Sequence, residues 1–217
     1  MSMREEEVRF PFLAYSHLAE SFYLKNHGTE KEDFGWLKQI TAESRVAGKV
    51  CYYESEELKK EVRLYNELEK WKEQHPFPSE FLGGLVYILT IQERYKQDQL
   101  SQQERLLIQL WNCAYLDGIR SVFRSEMSQD KESFSMSLGA GFYGMSMNVN
   151  KIIYVMLKGK DYGIQIKNSS FLPSYSCCGI VINIKNFRKK MDFLNNLSPC
   201  IDCKGTDNCD FCVFRKG

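Results

Sequence analysis

The chain predicts an α+β fold, and three observations predict it. Amphipathic helical stripes occupy much of the first 127 residues, strand-like alternating or continuous apolar runs follow residue 133, and the Gly-rich stretch GAGFYG breaks the first of those runs. Helices first and strands later, with a further helix among the strands, is the α+β pattern. At 217 residues the chain is long enough to bury a good core. It contains neither an internal repeat nor a low-complexity tract.

In order, PFLAYSHLAESFYLKN at 11–26 places Phe12, Leu13, Leu18 and Phe22 at roughly helical spacing. Ser55 reads as the N-cap of a helix over 55–74, with Leu58, Val62, Tyr65, Leu68 and Trp71 as its apolar stripe. HPFP at 75–78 stops it, because two prolines forbid continuation. That stop divides the chain into an N-terminal helical extension, 1–78, and a main domain, 79–217. A second helix is expected from Glu80 to Tyr95, weakened by the Gly83-Gly84 pair by about 2 kcal/mol relative to alanine. Ser101 and Glu104 form a capping box for a third helix. Its small residues Ala114 and Gly118 predict close helix contact, and Cys113 reads as a small core residue.

From Phe134 the pattern changes. SFSMSL alternates like a strand, and GAGFYG at 139–144 breaks it. Asn148 reads as the cap of a short helix that turns Val149, Ile152, Ile153 and Met156 inward and ends near Gly159. GIQIK and CGIVINI then read as strands, and residues 185–197 as a last helix.

Composition bounds the function. A net charge of +1 gives no global field that favours nucleic acid or an anionic membrane. The start, MSMREEEVRF, is acidic and lacks an apolar signal core, and no apolar run reaches bilayer length. A cytoplasmic location is expected, so the 8 cysteines are read as thiols rather than a disulfide framework.

Four of those cysteines carry the clearest motif. Cys200, Cys203, Cys209 and Cys212 form C-x2-C-x5-C-x2-C, two knuckles able to present four thiolates to one metal. Zinc and an iron–sulfur cluster both suit such a set, and the spacing leaves the choice open. The second candidate site is the Gly-rich turn Gly139, Ala140, Gly141, Phe142 and Tyr143, where backbone N–H groups can approach a ligand; a simple tight turn is the alternative. Cys177 and Cys178 open a strand and point to opposite faces. His17, His27 and His75 are scattered without a nucleophile partner, and Arg188, Lys189 and Lys190 read as a solvated helix face or a docking surface for an acidic partner.

Taken in order, GGLVYILTI, LDGIRSVFRSEM, GAGFYG, GKDYGIQIKNSSFLPSYSCCGIVI and the closing CVFR at 212–215 resemble the activation-domain family of vitamin-B12-dependent methionine synthase, and more closely its short stand-alone bacterial relatives. The resemblance covers roughly residues 81–215. It implies a twisted antiparallel sheet with flanking helices, a corrinoid (cobalamin-binding) methyltransferase as partner, and reductive reactivation of its cobalt. Cobalamin would then be met only on that partner. The family domain binds S-adenosylmethionine, but its Arg-x-x-Pro-Gly-Tyr turn is replaced here by SLGAGF at 137–142, so the arginine, proline and tyrosine hydroxyl are missing at those positions. Loss of that cation removes a charge-assisted contact of about 1.5–3 kcal/mol and argues against S-adenosylmethionine as a ligand. The function implied is an accessory protein in one-carbon metabolism. The alternative is a metal-stabilised small-ligand-binding or scaffold module that has lost the activation chemistry.

Overall fold

The structure, a computed structural model, describes residues 4–11, 16–27, 34–74, 81–127, 133–141 and 144–185. The elements in chain order are β1 (Arg4–Pro11), α1 (Ser16–His27), α2 (Phe34–Ile40), β2 (Arg45–Glu54), α3 (Ser55–Leu58), α4 (Val62–Gln74), β3 (Phe81–Gln92), α5 (Gln102–Met127), β4 (Ser133–Leu138), α6 (Asn148–Met156), β5 (Gln165–Lys167), β6 (Ser170–Leu172) and β7 (Ser176–Lys185). The fold is α+β: five strands form one antiparallel sheet in the order β1-β2-β3-β7-β4, and β5 and β6 form a separate hairpin. No helix among the described residues is long and apolar enough to cross a membrane.

The central strand β3 corrects the helix expected over 80–95. Leu85, Tyr87, Leu89 and Ile91 enter one core with Trp111 and Tyr115 of α5 and Tyr23 of α1. Val86 and Ile88 enter the other, with Leu64, Leu68 and Trp71 of α4 and Val149 and Ile153 of α6. Helices cover both faces, so the strand is apolar at nearly every position and its period of two is invisible in the sequence. Gly83 and Gly84 serve strand packing: a Cβ on either would sit 2.5 Å from a carbonyl oxygen, of Tyr53 and Val181 respectively.

The region before residue 78, expected as a helical extension, supplies two strands. β2 pairs with β3 from Arg45↔Gln92 to Glu54↔Gly83, and β1 pairs with β2 from Arg4↔Tyr52 to Pro11↔Arg45, so one sheet runs across position 78. The single helix expected over 55–74 is two. Glu54, not Ser55, is the N-cap of α3, closing a capping box with Glu57, and α4 starts afresh at Val62. The break shifts the helical phase: Leu64 is buried and Val62 is 62 % exposed.

Several expectations hold. The third helix is α5, and its capping box is in place: the Ser101 N–H donates to Glu104 Oε2 at 2.7 Å and the Glu104 N–H to Ser101 Oγ at 3.3 Å. Gly118 lets α1 approach closely, since a Cβ there would meet Leu18 Cβ at 2.6 Å. Cys113 is only partly buried on α5. The short helix over 148–156 forms as α6, although Met147 is its N-cap and Asn148 opens it. The helix expected over 185–197, with Arg188, Lys189 and Lys190, lies outside the described residues, apart from Lys185 at the end of β7.

Candidate functional site

The Gly-rich turn leaves the edge strand β4 at Leu138 and leads to α6. Gly141 has φ +80° and Gly144 φ +72°, a left-handed backbone that glycine adopts without a Cβ penalty. The Gly141 N–H donates to the Met145 carbonyl at 2.9 Å, so one turn amide is committed to closing the turn. Gly139 is buried, Ala140 half-buried and Gly141 exposed, while Phe142 and Tyr143 lie outside the described residues.

β4 pairs with β7 from Ser133↔Lys185 to Leu138↔Ile180. The turn and the GKDYGIQIKNSSFLPSYSCCGIVI segment, separate in sequence, therefore become neighbours. On the α5 face beside them is a polar group that the sequence conceals. Arg120 of α5 donates from Nε to Tyr87 Oη at 2.9 Å, and its Nη1 lies 2.7 Å from Asp117 Oδ1. Its side chain is 22 % exposed. Tyr87 is fully buried, and that burial pushes its phenol far above the ordinary range, so it stays protonated. The tyrosine hydroxyl sits over Gly179 of β7, beside the Leu138 carbonyl from which the turn departs. The turn lacks its own arginine, but a guanidinium from α5 stands behind the strand that delivers it.

Further along the same face, Ser135 of β4 and Asn183 of β7 are register partners. Among the described residues, Ser135 Oγ and Asn183 Oδ1 are buried with no hydrogen-bond partner. Unpaired buried polar atoms are rare and call for water or a ligand group. The arrangement suits a polar, hydrogen-bonding ligand beside β4.

The thiols nearby are poor nucleophiles. Burial pushes Cys177 up from 9.0 to about 12, with the Arg120 charge only partly opposing it, and burial pushes Cys113 up to about 11. Cys178 faces the opposite side of β7, where its Sγ donates to Asn150 Oδ1 at 3.2 Å. Asn150 Nδ2 in turn donates to the Ser169 carbonyl at 2.8 Å, pinning the β5–β6 hairpin against α6. Its chemistry is structural.

The metal candidates Cys200, Cys203, Cys209 and Cys212 lie outside the described residues. Among the described residues no three of His, Cys, Asp and Glu group as a metal site.

Comparison with known protein families and with curated proteins finds no match to this chain. The placement of side chains must therefore carry the functional reading. Sequence reasoning missed Arg120 because one arginine on an amphipathic helix looks like any solvated charge. It missed Tyr87 because its strand read as a helix.

Proposed function

We propose that this chain is an accessory protein that docks on a corrinoid-carrying methyltransferase and assists reductive reactivation of its cobalt. The observation that supports the reading most directly is the pairing of β4 with β7. It brings the turn at 139–144 beside the GKDYGIQIKNSSFLPSYSCCGIVI segment, two of the segments that carry the resemblance to the methionine synthase activation domain. An antiparallel sheet with helices is also the architecture that the resemblance implies.

On this reading the β4 edge and the turn at 139–144 face the partner, and Arg120 with Tyr87 braces them from behind. Cys200, Cys203, Cys209 and Cys212 would hold zinc or an iron–sulfur cluster. An iron–sulfur cluster would supply a one-electron carrier, whereas zinc would clasp the C-terminal segment.

The test is an anaerobic reactivation assay. A corrinoid methyltransferase in the cob(II)alamin state is mixed with a low-potential reductant and a methyl donor, with and without this chain. Faster loss of the cob(II)alamin absorbance with the chain supports the proposal; an unchanged rate rejects it.

A further inference from the structure

The five-stranded sheet has two edges, and the one far from the turn is β1. Among the described residues, β1 pairs with β2 on one side and with no strand on the other, and β2 is the one element that packs extensively on it. Every second residue of an edge strand turns its N–H and C=O outward, which makes β1 a template for another strand. Its side chains stand clear of the fold: Arg4 is 67 % exposed, Glu7 62 % and Arg9 68 %.

Both faces of the strand carry charge of both signs. Glu5, Glu7 and Arg9 are register partners of Cys51, Lys49 and Ala47, and Cys51 and Ala47 belong to the core under α4 and α6. Arg4, Glu6 and Val8 pair with Tyr52, Val50 and Gly48 and take the other face, where Val8 packs against the core under α1 and α5. Arg9 Nε lies 3.3 Å from Glu7 Oε2, Lys49 Nζ lies 2.5 Å from Glu5 Oε2, and Arg4 pairs with Glu6.

A second copy of β1 fits this edge, and the charges choose how. Two identical strands pair antiparallel about a twofold axis, and opposed residues share a face, so the axis passes through a residue. Centred on Glu6, the pairing opposes Glu5 to Glu7 twice and Glu6 to itself. Centred on Glu5 or Glu7 it opposes that glutamate to itself, and centred on Arg9 it opposes two arginines. Centred on Val8 it opposes Glu7 to Arg9 of the second copy twice, Val8 to Val8, and no like charges. Charges on an edge strand ordinarily discourage pairing; here they discourage the flanking registers and favour one. Pro11, which has no N–H, falls opposite Glu5 and ends the pairing.

We infer that β1 pairs antiparallel with β1 of a second copy, in the register centred on Val8, so that two sheets join edge to edge in a twofold dimer. β4 is the opposite edge of each sheet and stays free of this contact, so the inference does not depend on the corrinoid reading.

Analytical ultracentrifugation of the full chain over a concentration series tests it, with a monomer–dimer equilibrium expected that salt weakens. Glu7→Arg and Arg9→Glu, both at exposed positions, should keep the wild-type circular dichroism spectrum. Each should weaken the dimer about tenfold, because each turns two attractive pairs into repulsive ones, and the double swap should restore it. Val8→Cys should give a covalent dimer on mild oxidation, since opposed Cα atoms lie about 4.5–5.5 Å apart, within disulfide reach. Glu6→Cys should cross-link no more than the wild type, because its two copies would lie about 14 Å apart. A monomer at every concentration up to about 0.1 mM, a dimer indifferent to the single reversals or not restored by the swap, or no Val8→Cys cross-link beyond the wild type would overturn the proposal.

Discussion

Arg120 is where a single side chain has most influence on the proposed docking edge. Its Nε bond to Tyr87 ties α5 to the central strand in a largely buried setting, while its Nη1 contact with Asp117 lies within α5. Arg120→Met keeps the aliphatic bulk but strands both partners. The expected loss is about 1–3 kcal/mol, set mainly by the polar groups left unpaired. Denaturant unfolding measures it, and an unchanged midpoint would show that the pair is incidental. The thiols make a pH prediction. Cys51 and Cys113 rise from 9.0 to about 11 and Cys177 to about 12, chiefly through burial, so the native state holds these protons more tightly than the unfolded chain. Their contribution is intact below pH 9.0 and is lost as pH climbs through about 11 to 12. Buried Tyr87 acts in the same direction. Stability measured from neutral to strongly alkaline pH should hold to about pH 9 and fall above it, and a maximum above that point would contradict the assignment.

Single elements differ in how far the sequence disclosed them. The start of α5 was legible because capping is local: Ser101 and Glu104 lie three residues apart, and their bonds form between those residues alone. Ser101→Ala should cost about 1 kcal/mol, read as a lower unfolding midpoint with unchanged cooperativity. The turn after β4 was legible for a similar reason, since glycines at Gly141 and Gly144 announce positive φ. β3 was not. Its apolar run is continuous because α1 and α5 cover one face while α4 and α6 cover the other, a fact about partners distant in sequence. Length, twelve residues, favoured a helix, and only the pairing with β2 and β7 decides otherwise. The site was half legible in the same way: the turn could be read, but the buried Arg120–Tyr87 pair beside it joins α5 to β3.

At the scale of the molecule, the sheet makes β1 and β2, both before residue 78, part of the fold. β2 covers one long side of β3 through ten register pairs, and β1 covers β2. A fragment beginning at residue 79 would leave that side of β3 open, with unpaired backbone groups and buried apolar side chains uncovered. Residues 79–217 alone should aggregate or unfold without a cooperative transition, while the full chain melts cooperatively. A soluble fragment with the full chain's melting temperature would restore position 78 as a domain boundary.

On the proposed reading, the β4–β7 edge and its turn serve a corrinoid partner. The measurement closest to it is the rate at which cob(II)alamin disappears on a corrinoid methyltransferase, with reductant and methyl donor held constant and this chain added in increasing amounts. The rate is expected to rise with added chain and saturate, as docking requires, and to fall for Arg120→Met under conditions where that variant remains folded. A rate that does not change with added wild-type chain would contradict it.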